Sequence, residues 1–115
     1  MDSPNKLSAH QARNAALLAQ FKERNINLAE VRSVDLHFWA WGQPMAVNVG
    51  HALYKRGYVV LRLGQASVPD DPTRWNIEAG AKLSIQQVTD GTFVQEMIAL
   101  AGGFGAEYDG WGTSL

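Results

Sequence analysis

Between Val31 and Trp41 hydrophobic and polar positions trade places with a period of two: Val34, Leu36, Phe38 and Ala40 fall on one side, Asp35, His37, Trp39 and Trp41 on the other. That alternation predicts a strand whose first set of side chains enters a core. Gly42-Gln43-Pro44 follows, with proline near a first helical position, and Ala46, Val49, Gly50 and Leu53 then recur at helical spacing until Gly57. A short helix is expected there. Tyr58 to Leu63 reads as a second strand, its Val59, Leu61 and Leu63 alternating with Tyr58, Val60 and Arg62. Turn formers crowd Ser67 to Thr73, and beyond them Trp75, Ile77, Ala79 and Leu83 share parity in a third strand, Arg74 to Leu83. These two strands are expected to form a hairpin with a long loop, and Gly80 is placed to mark a bulge.

Asp90 stands as the N-cap of a later helix in which Phe93, Met97, Leu100, Ala101 and Phe104 fall on one stripe, with Gly102, Gly103 and Gly105 ending it. Residues 106–112 are short enough for one last strand. At the other end, Ser8-Ala9-His10-Gln11 has the form of a capping box and opens a helix that runs to Arg24, with Asn25 as its stop. Leu17, Leu18 and Phe21 are its expected apolar stripe, whereas Gln11, Arg13, Asn14, Lys22 and Glu23 suit its wet side. The order is therefore one helix and then βαββαβ. It predicts an α+β, ferredoxin-like sandwich, with four antiparallel strands, both crossover helices on one face, and first and last strands as neighbours. The extra N-terminal helix is expected to cover part of the other face or to dock at an edge. The chain reads as a single domain, residues 1–30 being the N-terminal helix and connector and residues 31–115 the sandwich.

Composition narrows the chemistry. The 115 residues contain no cysteine, which excludes disulfides, thiol nucleophiles and Cys-ligated metals. No apolar run reaches the roughly 18 residues of a membrane span, and the first residues are polar, so a cytoplasmic location without membrane attachment is expected. A formal net charge of −1 removes the simplest argument for a nucleic-acid binder. The charge is uneven: residues 1–62 hold eight basic and four acidic groups, residues 63–115 two basic and seven acidic. Interleaved strands prevent that imbalance from defining two opposite faces.

The three histidines, His10, His37 and His51, are the natural acid–base or metal groups of a cysteine-free chain, yet they match no motif. His10 and His51 read as ordinary helix residues. His37 shares strand parity with Asp35, and a neighbouring strand brings Glu78 within reach, which is the one arrangement from which a small enzyme is conceivable. No phosphate-binding glycine loop, serine elbow or zinc-protease spacing occurs, and neither a cofactor nor a metal is expected. Trp39 and Trp41 on the polar face of the first strand, with Arg62, Arg74 and Asn76 beside them, have the aromatic and basic character with which four-stranded sheets stack single-stranded RNA. The plainer alternative is that both tryptophans pack under the N-terminal helix.

The segment Glu107-Tyr108-Asp109-Gly110-Trp111-Gly112-Thr113 resembles the C-terminal signature of the RraB family, protein inhibitors of ribonuclease E. Lys55-Arg56-Gly57-Tyr58-Val59 is similar to that family's Gly-Tyr-x-Val step into its second strand, and the element order across residues 31–113 agrees. The resemblance implies a ferredoxin-like fold and a non-enzymatic, bacterial, cytoplasmic regulator of RNA metabolism that binds ribonuclease E or a similar endoribonuclease. It implies no cofactor, no direct nucleic-acid contact and no membrane contact, and it leaves a homodimer open. Its motif residues Glu107, Tyr108, Asp109, Gly110, Trp111 and Gly112 are then partner contacts or a C-terminal clasp. His37, Trp39, Trp41 and Arg62 are the candidate contacts on the sheet face. Where the family's inhibitors are acidic, this chain is almost neutral.

Overall fold

The computed structural model describes residues 6–114. The elements are α1 (Leu7–Glu23), β1 (Val31–Trp41), α2 (Gln43–Lys55), β2 (Val59–Gln65), β3 (Arg74–Ser84), α3 (Ile85–Val88), α4 (Gly91–Gly102) and β4 (Glu107–Thr113). The four strands form one open antiparallel sheet in the order β2-β3-β1-β4, so the first and last strands are neighbours and the fold is α+β. Val34, Leu36, Phe38 and Ala40 are wholly buried, as the alternation in β1 predicts. They meet Ala46, Val49 and Leu53 of α2 and Val94, Met97, Leu100 and Ala101 of α4 in one core. Both helices thus cover the same face; on the other, His37 borders a cavity shared with α1, and Trp39 carries the Arg74 guanidinium. Among the described residues no helix is long and apolar enough to cross a membrane.

Two β-bulges shift side chains away from simple alternation. In β2 the pairing slips between Val60 and Arg62, so Leu61 is the extra residue opposite Ala79 and Glu78 of β3. Val59 and Leu61, which simple alternation groups on one side with Leu63, are 62% and 55% exposed, while Leu63 packs against the core. Gly80 therefore does not form the bulge itself. It makes room for it, because a Cβ at Gly80 would lie 3.0 Å from Leu61 Cδ1.

Other expectations are corrected at helix ends. Ser8 and Gln11 form no capping box: α1 starts after Lys6, with no side-chain cap. The same pattern does its work at Ser84 and Gln87, whose reciprocal hydrogen bonds cap α3, a one-turn helix that the hydrophobic pattern conceals. Asp90 caps α4 as expected, accepting from the backbone N–H groups of Thr92 and Phe93. Phe104, however, lies beyond that helix and is 40% exposed, whereas Val94, in its first turn, is buried in the core.

Candidate functional site

The last strand is built around its bulge. Tyr108 pairs with Phe38 and Gly110 with His37, leaving Asp109 as the inserted residue. Without that insertion Trp111 would face away from Tyr108. With it, Trp111 pairs with Leu36 and lies, like Tyr108, on the helix side of the sheet. Gly110 adopts φ 125°, a backbone conformation that residues with a side chain rarely adopt, and this explains a glycine between Asp109 and Trp111. Tyr108 is 1% exposed, its ring 5.2 Å from Phe38, and burial pushes its phenol well above the usual range.

Helix α1 closes over this strand. Its residues His10, Arg13, Asn14, Leu17 and Phe21 follow helical spacing and form the stripe that faces β4. Arg13 Nη1 donates to the Asp109 carbonyl at 2.8 Å, and Trp111 Nε1 donates to Asn14 Oδ1 at 2.9 Å. His10 stacks on Tyr108 at 5.0 Å between ring centres, and Phe21 approaches Trp111 at 6.4 Å. Asn14, expected on the wet side, is only 6% exposed, whereas Leu17 and Leu18 are half-buried. A cavity of about 170 Å³ remains between α1 and the bulge, reached by His10, Arg13, Asn14 and His37. The helix stripe is mostly polar, which is why an apolar pattern search misses it.

The open face gathers the other sequence-predicted residues in register. Glu78 pairs with His37, Asn76 with Trp39 and Arg74 with Trp41. His37 Nδ1 lies 3.7 Å from Glu78 Oε1, a half-exposed approach longer than a hydrogen bond. Arg62 is exposed across from Glu78. The tryptophans do not pack under α1, whose contacts run to α4 and β4. Instead the Arg74 guanidinium sits 4.0 Å from the Trp39 ring centre. Trp41 Nε1 donates to Asp71 Oδ2 at 2.8 Å, and this bond, aided by Thr73, holds the Asp71 carboxyl below its usual range. Among the described residues no three His, Asp or Glu side chains converge as a metal site would require.

The chain matches no curated protein. The model of one family, described as regulator of ribonuclease activity B, matches residues 11–113, a span that takes in the α1 stripe from Arg13 to Phe21, the whole sheet and the bulged strand beneath that helix; the chain belongs to the RraB family.

Proposed function

We propose that this chain is a non-enzymatic regulator that binds ribonuclease E, or an endoribonuclease like it, and lowers its cleavage of RNA. The observation that carries the reading is the family match from residue 11 to residue 113, which takes in every strand and helix of the fold except the first four residues of α1. The strand order β2-β3-β1-β4, with α2 and α4 on one side, supports the ferredoxin-like class that the family resemblance implies. Of the candidate contact residues, His37, Trp39, Trp41 and Arg62 on the open face and Glu107 and Asp109 at the β4 edge keep exposed surface, which supports a role for them in partner binding.

An RNA-binding sheet has less support. Trp39 already carries Arg74 against its ring, and a net charge of −1 offers few phosphate contacts. Purified ribonuclease E, a fluorogenic RNA substrate and the full chain suffice for a test. A salt-sensitive complex with slower cleavage is the expected result. Unchanged cleavage with no complex at roughly 50 μM, where contacts worth only ~6 kcal/mol would already register, refutes the proposal.

A further inference from the structure

The cavity of about 170 Å³ between α1 and the β4 bulge is bordered by groups whose hydrogen-bonding capacity the fold does not use up. Asn14 is only 6% exposed, and its Oδ1 accepts from the Trp111 indole at 2.9 Å. An indole N–H can only donate, so this bond fixes the amide, with its oxygen toward Trp111 and its two N–H donors on the other side. No described residue accepts from that Nδ2, although Asn14 borders the cavity. Donors placed this deeply require an acceptor, from water or from a ligand.

Arg13 and Asp109 bring opposite charges to the same wall. They meet through Arg13 Nη1 and the Asp109 carbonyl at 2.8 Å, and among the described residues the guanidinium and the carboxylate form no ion pair with each other. Gly110 continues the wall without a side chain, where a Cβ would stand 3.4 Å from Arg13 Nη1. Leu17 adds an apolar stretch.

Charge selects the occupant. Beyond the wall, Glu78, 3.7 Å from His37, stands opposite Arg62; Asp35 and Lys82 share a groove; Glu107 and Arg74 both flank Trp39. At the start of α1, Lys6 is offset by Asp90, the cap of α4, whose Gly91 lies beside Gln11. Counted with His10 and His37 neutral, each acid is matched by a base, so the surroundings favour neither a free anion nor a free cation. A molecule that carries both charges gains from Arg13 and Asp109 at once. The volume equals the share of about five or six waters, room for a molecule the size of alanine.

We infer that the cavity under α1 is a binding site for a small zwitterion, a free α-amino acid with a short aliphatic side chain. Arg13 and Asn14 receive its carboxylate, a group that the planar guanidinium suits. The Asp109 carboxylate receives its ammonium, and Leu17 meets its side chain.

L-alanine is the probe, with propionate and ethylammonium as controls, each lacking one of its two charged groups. Amide chemical-shift titrations on the full chain at constant ionic strength read affinity and place. L-alanine should give saturating shifts at residues 13–17 and 109–111 and bind about tenfold tighter than either control. Asp109→Asn should erase the preference over propionate, and Arg13→Gln the preference over ethylammonium. Both side chains keep exposed surface, and each preference is a ratio measured on one variant, so lost stability alone does not produce the change. Shifts that grow without saturating up to roughly 50 mM, as an excluded osmolyte gives, overturn the inference. So do equal affinities for the three probes, saturation at other residues, or a preference that survives its substitution. Ribonuclease E takes no part in these measurements, so their failure leaves the regulator proposal standing, and failure of that proposal leaves the amino-acid site standing.

Discussion

Replacing Trp111 with alanine tests whether the bulged strand and α1 form a structural clasp. The indole is half-buried, pairs with Leu36, approaches Phe21 at 6.4 Å and donates to Asn14 at 2.9 Å. Truncating a fully buried aromatic costs about 3–5 kcal/mol, and a half-buried one falls at or below the lower end, about 2 kcal/mol. The lost donor adds about 1 kcal/mol, because Asn14 is only 6% exposed and its Oδ1 is left without that partner. The total of about 3 kcal/mol lowers the melting temperature of a domain this size by roughly 12 °C. Thermal unfolding followed by circular dichroism measures it directly. Trp111→Phe keeps most of the ring contact but not the N–H, and should recover about two thirds of the loss. A melting temperature lowered by less than about 3 °C in Trp111→Ala refutes the clasp, since it leaves under ~1 kcal/mol for the contacts described. A ribonuclease complex weakened in that same unaltered fold would instead mark the indole as a partner anchor.

Gly110→Ala forces a Cβ onto a residue at φ 125° and sets it 3.4 Å from Arg13 Nη1, so a loss of about 2 kcal/mol in urea unfolding is expected. Tyr108 governs the alkaline limit: burial raises its folded-state pKa above the ordinary tyrosine value of about 10, so stability is fully retained below that pH and falls as pH rises past it, because the unfolded chain gives up the proton first. Urea midpoints measured from pH 9 upward should fall, and Tyr108→Phe should flatten that fall. Asp90→Ala removes the acceptor for the Thr92 and Phe93 N–H groups and should cost about 1 kcal/mol, read from the same urea titration.

What was legible in the sequence depended on whether a strand kept its period. The uninterrupted alternation of β1 gave its buried face and, through shared parity, the approach of Glu78 to His37. In β2 a single inserted residue, Leu61, separated Val59 and Leu61 from Leu63, with which simple alternation had grouped them, and the trace of it in the sequence was a glycine on the neighbouring strand. In β4 the insertion at Asp109 brought Tyr108 and Trp111 to one side, which no alternating pattern implies. Helix α1 was legible as a helix but not in its orientation, because His10, Arg13 and Asn14 make a docking stripe from hydrogen bonds and ring stacking, where hydropathy sees only a wet side. Capping-box spacing alone did not distinguish Ser8 from Ser84 either; Ser8 lies inside the first turn of α1, and Ser84 stands where a strand ends.

The bulge also changes how the family signature is understood. Tyr108 is consumed by the core, Gly110 by a backbone conformation that needs glycine, and Trp111 by the contact with α1. Each of these choices follows from making the last strand bend under the first helix, so a chain that bound nothing at this edge would still need them. Glu107 and Asp109 are different: both are half-exposed, Glu107 pairs with Trp39, and the Asp109 backbone already serves Arg13 while its carboxylate is not needed for that bond. A signature spent largely on folding establishes kinship without marking the contact surface. Under the proposed function, a contact surface for a ribonuclease is to be sought where side chains are not committed to the fold, on the ridge from Arg62 through His37 to Glu107.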